Sequence, residues 1–400
     1  MPRAGPDARP HHKMPSMAAP AQSSNPPPQE ILEQDVPAGR PLVEYDPTAN
    51  PQFDGLYHGF RAFVQKQTHD MRISRLFAHR KTLFEYQRKH IQGTDMDKKR
   101  MNGLHHITAI SGPPQANADF FTKVMQQRLV KKTVNFDDPG TYHLYYGNET
   151  ADPGTILTFF PFVNAGPGRA GPGMASAYAY AVGRGGFDTW MERLALETLD
   201  FDGPTERFGS RVIRITDPDG AKVELIEVDG DDGPTLDGFH SVTLQLNDLE
   251  PTQRLLTDVM GYDEVAHKTG NGEERLRLQL PGDARGRIVD LMRADVPSIG
   301  RQGAGSIHHV AFRALDDEDQ LDWRERLLSA GMDVTPVIDR QYFNAIYFRE
   351  PGGVLFEIAT DPPGFTRDED LAHLGRSLQL PAQYESARDR IEQVLPPLVA

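Results

Sequence analysis

Apolar and polar residues alternate in four short segments that are spaced roughly 60 to 70 residues apart. A period of two is typical of a strand with one buried face and one open face. The four segments are His106-Ile-Thr-Ala-Ile, Ala177-Tyr-Ala-Tyr-Ala-Val, His240-Ser-Val-Thr-Leu-Gln-Leu and His309-Val-Ala-Phe-Arg-Ala-Leu. Their regular spacing predicts a repeated structural unit.

Each opening strand is followed by a helical pattern and then by a turn rich in Pro and Gly that leads into a β-rich run. Apolar residues at helical spacing predict helices at 118–129, 187–196, 251–260 and 318–330. The closing turns begin at Asp152, Asp217, Pro281 and Glu350. We therefore predict four modules, each a β-α-β-β-β unit, in an α+β fold.

The modules suggest two domains along the chain. Residues 101–232 would form the first, with two modules, and residues 233–368 the second, also with two. Residues 369–400 are predicted to form a helical tail that caps the assembly.

The N-terminal part of the chain has a different composition. Residues 1–52 hold 12 of the 32 prolines without apolar periodicity, so we expect them to be disordered. Residues 53–100 form a basic extension that is compatible with helices, and residues 61–100 carry 11 Lys and Arg against 4 Asp and Glu. This extension either binds something acidic or is a leader without a dedicated role.

Composition narrows the partners and the cofactors. A formal charge of −14 argues against nucleic acid or an anionic membrane as the main partner. The chain has no cysteine, which excludes disulfides and thiolate metal sites. There is neither an apolar run of about 20 residues nor a secretory signal pattern, so the expected location is the cytoplasm.

Two paired histidines and one glutamate are the candidate metal ligands. The pairs His105-His106 and His308-His309 open the first and fourth modules, and Glu357 lies 48 residues after His309 in the closing strand of the fourth. Two imidazoles and one carboxylate are the ligand set that holds iron(II) and leaves positions open for substrate and dioxygen. A structural alternative for Glu357 is a salt bridge to Arg340 or Arg349.

The second and third modules lack such a set. His240 opens the third module, and Glu224 and Asp290 lie on closing strands, but the second opening strand has no histidine. We expect these three residues to have a structural role.

The chain resembles the ring-cleaving dioxygenases of the vicinal oxygen chelate superfamily (glyoxalase/bleomycin resistance/extradiol dioxygenase), and in particular the type that cleaves hydroquinone. The resemblance covers about residues 102 to 395. The motifs that carry it include Gly103-Leu-His-His-Ile-Thr, Tyr142-His-Leu-Tyr-Tyr-Gly, Ile307-His-His-Val-Ala-Phe, Pro351-Gly-Gly-Val-Leu-Phe-Glu and Gly364-Phe-Thr-Arg-Asp-Glu-Asp. No counterpart of the first hundred residues is recognised.

This resemblance implies a vicinal oxygen chelate fold of two half-barrel domains and a role for each site residue. It implies that His106, His309 and Glu357 bind Fe(II), with Mn(II) as an alternative metal. The positions that it implies around the metal pocket are His105, His308, Thr108, Arg340 and Tyr347. Of these, His105, His308, Arg340 and Tyr347 are candidate catalytic residues, while Thr108, together with Phe343, is a candidate substrate contact.

Three functions follow from these expectations. The preferred one is an Fe(II)-dependent dioxygenase that inserts both atoms of O2 into a hydroquinone or related aromatic. A glyoxalase-type lyase or isomerase would want a fourth protein ligand, commonly a second carboxylate, and the first module has Phe159 where such a residue would sit. The third is a binding protein that holds an aromatic molecule without turnover. Assembly into a homo-oligomer is left open.

Overall fold

The computed structural model describes residues 99–197, 199–230, 233–270, 272–294 and 299–399. The expectations for residues 1–52 and for nearly all of 53–100 therefore lie outside the described residues. The four predicted modules are all present, and each contains one helix and four strands.

The first module consists of β1 (Leu104–Ser111), α1 (Pro114–Asp119), β2 (Arg128–Asn135), β3 (Asp138–Gly147) and β4 (Ile156–Pro161). The second consists of β5 (Met174–Gly183), α2 (Arg184–Leu196), β6 (Phe201–Arg207), β7 (Ser210–Thr216) and β8 (Lys222–Val228). The helix predicted at 118–129 lies earlier in the chain. The helix α1 begins at Pro114 and continues as a π-helical turn that ends at Val124, and β2 then begins at Arg128.

The third module consists of β9 (Phe239–Gln245), α3 (Glu250–Arg254), β10 (Asp263–Gly270), β11 (Glu273–Gln279) and β12 (Ile288–Ala294). The fourth consists of β13 (Ser306–Ala314), α4 (Asp317–Ser329), β14 (Ile338–Asp339), β15 (Phe343–Arg349) and β16 (Leu355–Pro363). A π-helical turn, Leu255–Val259, extends α3 as Phe120–Val124 extends α1. The tail holds α5 (Ala382–Glu385) and α6 (Arg388–Val394), after two 3₁₀ turns at Phe365–Arg367 and Leu371–His373.

The strands form two eight-stranded sheets. The first sheet has the order β14-β15-β16-β13-β1-β4-β3-β2 and joins the first and fourth modules. The second sheet has the order β10-β11-β12-β9-β5-β8-β7-β6 and joins the second and third modules. The predicted α+β fold of four modules in two half-barrels is confirmed. The division at residues 232 and 233 stays a prediction, since the pairing of β1 with β13 and of β5 with β9 crosses it.

Within every module the opening strand lies parallel to the closing strand. A parallel neighbour requires a long crossover, and the module's helix lies in that crossover. The alternation then divides each strand between two environments. In β1, Ile107 and Ala109 enter the main core, whereas His106 and Thr108 lie on the other face.

The segment after β16 is attached to the first sheet by one buried cation. Nζ of Lys131, which is fully buried, lies 2.5 Å from carboxylate oxygens of both Asp368 and Glu369 and 4.9 Å from the ring centre of Tyr342. The Tyr342 ring stacks on Phe365 at 5.3 Å. These contacts bring the start of the C-terminal segment onto the sheet face that carries the histidines.

The closeness of this segment to β2 explains one glycine. Gly375 has a φ of +77°, and a Cβ atom there would lie 2.0 Å from the carbonyl oxygen of Leu129. Both the left-handed backbone and the contact exclude a side chain.

We expect Lys131→Met to lower the free energy of unfolding by about 3 kcal/mol, because it keeps the volume but leaves two poorly exposed carboxylates without their cation. Urea unfolding would measure the loss, and hydrogen exchange should show earlier opening of residues 364–380. Lys123→Met is the matched control, because Lys123 is exposed and pairs with Asp119 on the helix surface. Its effect should stay below about 0.5 kcal/mol. Equal losses in both variants would contradict the role of the buried pair.

Candidate metal centre

Three predicted ligands converge on the face of the first sheet opposite the main core. Nε2 of His106 lies 3.3 Å from Nε2 of His309. Oε2 of Glu357 lies 2.9 Å from Nε2 of His309 and 3.4 Å from Nε2 of His106. The three donor atoms lie within 4.8 Å of one another and form a candidate metal site. We call this face, with His106, His309 and Glu357 at its centre, the first cup.

Strand register explains the convergence. In the antiparallel pair β1–β13, His106 stands opposite Ala311 and Thr108 stands opposite His309. In the parallel pair β13–β16, Ala311 stands beside Glu357. The two histidines are therefore diagonal neighbours, and the glutamate lies one strand beyond them on the same face.

The charge states of Glu357 and His309 suit a metal. All three candidate ligands are buried. Burial raises the pKa of Glu357, but the neighbouring His106 and His309 outweigh burial and hold this pKa well below its usual range. Burial lowers the pKa of His309, and Glu357 offsets part of that effect. An ionised carboxylate and a neutral imidazole are the forms that bind metals.

The neighbours of the Glu357 carboxylate are the two imidazoles and the Tyr347 hydroxyl. Neither of its oxygens accepts a hydrogen bond of normal geometry from the described residues, although the side chain is fully buried. Arg340, one of the arginines considered as a salt-bridge partner, instead contacts Tyr347 and Asp137. A buried negative charge is costly unless a cation compensates it, and a divalent cation at the centre of the three donors would do so. The residues therefore fit a metal ion.

The first histidine of each pair lies behind the second. Nδ1 of His105 is 2.9 Å from Nδ1 of His106, and Nδ1 of His308 is 2.8 Å from Nδ1 of His309. With Nε2 turned to the metal position, Nδ1 of His106 and His309 would carry the proton and donate it to the first histidine. Burial, followed by the neighbouring histidine, lowers the pKa of His105 and of His308 to about 3, which keeps both acceptors neutral.

Tyr347 and Arg340 lie together beside the centre. Tyr347 stands opposite Glu357 in the pairing of β15 with β16. Nε of Arg340 donates to the Tyr347 hydroxyl at 3.1 Å, and Nη1 of Arg340 contacts Asp137 at 3.2 Å. Burial and then the charge of Glu357 raise the pKa of Tyr347 above its usual value, so the phenol keeps its proton at neutral pH.

The two predicted substrate contacts occupy the wall around the ligands. Thr108 is fully buried, and its hydroxyl lies 2.8 Å from that of Thr158. The ring of Phe343 packs 4.9 Å from the ring of His106 and 5.2 Å from that of His105. Phe343 therefore helps to hold the orientation of this pair. The catalytic and substrate roles predicted for these residues stay predictions.

The first module adds residues that the sequence reasoning did not select as site residues. Nε2 of His143 lies 2.8 Å from the Thr158 hydroxyl, and Nδ1 lies 2.8 Å from the Tyr145 hydroxyl. The available signal was the alternation in β3, which puts His143 and Tyr145 on one face. It was not decisive because only the strand order brings that face to the histidines.

Register also corrects the position proposed for a fourth ligand. Thr158 pairs with Thr108, two residues after His106, just as Glu357 pairs with Ala311, two residues after His309. Thr158 is thus the counterpart of Glu357. The suggestion of Phe159 was wrong, because Phe159 faces the opposite side and packs in the main core, 4.7 Å from Phe121.

The second sheet shows what happens where the ligands are missing. The same register puts Ala177 and Ser241 at the positions of the two ligand histidines, and Asp290 at that of Glu357. Asp290 receives hydrogen bonds from Arg277 at 2.8 and 2.9 Å. His240 is the counterpart of His308, and its Nδ1 lies 2.9 Å from the Ser241 hydroxyl.

Glu224 has the same kind of partner. Arg207 contacts it at 2.5 and 2.7 Å, and Arg214 at 2.8 Å. Guanidinium groups therefore neutralise the buried carboxylates of the second sheet, which agrees with the structural role expected for Glu224, Asp290 and His240.

The first comparison with known proteins concerns the family. The family model described as Glyoxalase/Bleomycin resistance protein/Dioxygenase superfamily matches residues 103–225 and 238–358. This chain belongs to that superfamily. The resemblance that the histidine motifs suggested is confirmed.

Two relatives and two solved structures extend this finding. "Putative ring-cleaving dioxygenase MhqO" of Bacillus subtilis is 46% identical over 76% of this chain and 98% of its own length. "Chlorohydroquinone/hydroquinone 1,2-dioxygenase" of Sphingobium indicum is 35% identical over 73% of this chain and 95% of its own. A crystal structure titled as a putative dioxygenase from Bacillus subtilis has a TM-score of 0.70 and 46% identity, covering 75% of this chain and 98% of that one.

Glyoxalase I from Zea mays has a TM-score of 0.52 and 14% identity, covering 65% of this chain and 92% of that one, and this likeness concerns the fold alone. Within the described residues, no helix is both long and apolar enough to span a bilayer.

We expect Glu224→Gln to destabilise the protein in a way that depends on pH. Burial raises the pKa of Glu224, but Arg207 and Arg214 outweigh burial and bring this pKa to about 2. Because the pKa is lower in the folded than in the unfolded state, the stabilisation of about 3 kcal/mol is present above pH 4.5 and is lost as the pH falls towards 2.

The free energy of unfolding, measured in urea, should therefore differ strongly between wild type and this variant at pH 7. At pH 3 the difference should be small. Glu325→Gln, on the exposed side of α4, should differ little from wild type at both pH values. A Glu224→Gln deficit that is as large at pH 3 as at pH 7 would exclude the ion pairs as its cause.

We expect His309→Ala and Glu357→Gln to remove divalent metal binding, because each deletes one of three donors. His308→Ala should lower metal affinity by about 10- to 100-fold, since it removes only the partner that orients His309. Competition against a chelator would measure both effects. Ser241→Ala, at the equivalent position of the second sheet, is the control and should bind metal like wild type. A loss of metal in that control would place the site elsewhere.

Proposed function

We propose that this protein is a ring-cleaving dioxygenase that uses iron(II) to insert both atoms of O2 into a hydroquinone or a related dihydroxylated aromatic, next to a hydroxyl group. The observation that carries this proposal is the set of two imidazoles and one carboxylate, with Thr158 rather than a carboxylate at the fourth position. The relatives described as ring-cleaving and hydroquinone dioxygenases support the same activity.

Iron(II), which His106, His309 and Glu357 would hold, would supply open coordination positions for a phenolic oxygen and dioxygen, together with the redox chemistry between them. Manganese(II) accepts similar nitrogen and oxygen donors and is the alternative metal. The protein contributes the orientation of the ligands. His105 and His308 set the direction of His106 and His309 through their short contacts.

Tyr347 and Arg340 are the proposed catalytic pair. Tyr347 keeps its proton and lies beside Glu357, so its hydroxyl can donate to a substrate oxygen near the metal position. Arg340 holds this hydroxyl and adds a fixed positive charge that stabilises a phenolate. Thr108 and Phe343 shape the wall behind the ligand histidines.

A glyoxalase-type lyase is the less favoured function. It would want a second carboxylate, and Thr158 stands at the equivalent position. A binding protein without turnover has no need of the complete ligand set with two orienting histidines.

The proposed partners are the small aromatic substrate and O2. The formal charge of −14 disfavours nucleic acid and anionic membranes, and we propose a cytoplasmic location. Assembly into a homo-oligomer stays a prediction.

Anaerobic protein loaded with iron and hydroquinone should consume oxygen when it is admitted, and should form a ring-opened, yellow-absorbing semialdehyde. An oxygen electrode and absorption spectra would follow both events. His309→Ala and Glu357→Ala should abolish the reaction, while Ser241→Ala should retain it. Tyr347→Phe should keep its metal and lose about 10- to 1,000-fold in kcat.

The same preparations would test the lyase with a methylglyoxal–thiol adduct. Turnover of this adduct without oxygen uptake on any hydroquinone or catechol would overturn the proposed function.

A further inference from the structure

A chain of four polar side chains crosses the first cup beside the proposed metal position. The hydroxyls of Thr108 and Thr158 are 2.8 Å apart, Thr158 is 2.8 Å from Nε2 of His143, and Nδ1 of His143 is 2.8 Å from the Tyr145 hydroxyl. The chain therefore links β1, β4 and β3 by side chains alone. The roles proposed above for the metal, for Tyr347 and for Arg340 leave His143 and Tyr145 without a function.

The internal symmetry of the first sheet gives this chain a counterpart. Tyr145 stands opposite Thr158 in the pair β3–β4, and Tyr347 stands opposite Glu357 in the pair β15–β16. Each side of the cup thus presents one phenol. On the fourth module the phenol accepts a hydrogen bond from Arg340, whose guanidinium group can only donate. On the first module, an imidazole holds it, and an imidazole can donate or accept.

His143 is the accessible member of the chain. Thr108, Thr158 and Tyr145 are almost completely buried, whereas His143 is half-buried. Its ring is held by Tyr145 at 4.1 Å and by Phe160 at 4.3 Å. Its ring is therefore fixed in position, and part of it remains exposed.

His143 is also neutral. Burial, followed by the neighbouring imidazoles of His106 and His309 and the charge of Arg340, lowers its pKa well below the usual value, with Glu357 opposing them. A neutral ring has one donor and one acceptor nitrogen, while both hydroxyl neighbours can do either. The tautomer of His143 therefore sets the direction of every hydrogen bond in the chain, and so determines whether Tyr145 donates or accepts.

The surroundings of this chain suggest what it recognises. The wall near Tyr145 is aromatic, with Phe365 at 5.2 Å and Tyr342 at 6.1 Å between ring centres. A ring hydroxyl that is buried against such a wall loses its water and needs a polar partner. Tyr347 and Arg340 serve the oxygen at the metal position, which leaves the second hydroxyl of a dihydroxylated ring for the other side of the cup.

Building on the proposed function, we propose that His143 is a positioning residue for the second hydroxyl of the substrate. It fixes the hydroxyl directions of Tyr145 and Thr158, so that this wall presents an ordered set of donors and acceptors to a hydroxyl away from the metal. A site built to hydrogen-bond a hydroxyl discriminates against an analogue that lacks it. The chain would therefore distinguish dihydroxylated from monohydroxylated rings.

Binding without turnover tests this proposal directly. Iron-loaded protein under argon would be titrated with hydroquinone, which has two hydroxyls, and with phenol, which has one. His143→Ala should weaken hydroquinone binding on the order of tenfold, as expected for one lost hydrogen bond, and phenol binding less than twofold. In oxygen-uptake assays the same variant should raise KM for hydroquinone more than it lowers kcat.

Two further variants test separately how His143 and Tyr145 contribute to the preference for hydroquinone. His143→Asn keeps a polar atom near Nδ1 and should recover part of the preference through Tyr145, while Tyr145→Phe should lose the preference with the metal content unchanged. His267→Ala is the matched control, because His267 lies exposed on the second sheet beside Glu274. It should bind both ligands like wild type.

The experiment distinguishes a failure of the positioning role from a failure of the proposed function. If wild type binds neither ligand and consumes no oxygen, the proposed function fails and this inference fails with it. If wild type is active but His143→Ala weakens hydroquinone and phenol equally, or loses its metal, the positioning role alone is overturned. If that variant does not fold, Tyr145→Phe and Thr158→Val decide, since an unchanged preference in both would also overturn the proposal.

Discussion

The pairing of β1 with β13 is the interaction on which the site depends. These strands are about 200 positions apart in sequence and belong to different modules, yet their register puts His106 and His309 diagonally across one strand boundary. A slip of either strand by one residue would turn its ligand histidine into the main core. The apolar residues between the polar ones, such as Ile107 and Val310, prevent that slip because they are buried on the opposite face.

The two sheets differ in how the negative charge of their buried carboxylates is compensated. Each buries carboxylates on the face away from the main core, and a buried carboxylate requires a cation. In the second sheet the cations are guanidinium groups of the chain itself, at Glu224 and Asp290. In the first sheet Glu357 faces two imidazoles, and a bound metal ion would supply the balancing charge. One cup is therefore closed by its own arginines, and the other can receive a metal and a ligand.

The first cup is asymmetric although its two modules repeat each other. On the fourth module, Glu357 and Tyr347 adjoin an arginine, so that side carries fixed charge and a fixed donor. On the first module, Thr158 and Tyr145 adjoin a neutral histidine. A dihydroxylated ring has two oxygens with different tasks in the proposed reaction, and the two sides of the cup differ accordingly. The C-terminal segment, attached through Lys131, completes the aromatic wall.

Local pattern determined the modules and their helices within a few residues, because strand alternation and Pro-Gly turns depend on neighbouring residues. It also gave two histidine pairs and Glu357 as candidate ligands, and the family resemblance then favoured His106 and His309. Local pattern could not determine which module pairs with which, since strand order depends on contacts between distant segments. For that reason the sequence alone puts Phe159 rather than Thr158 at the fourth position and does not single out His143. Only the tertiary structure decided these points, because hydrogen-bond register between strands fixes which side chains share a face.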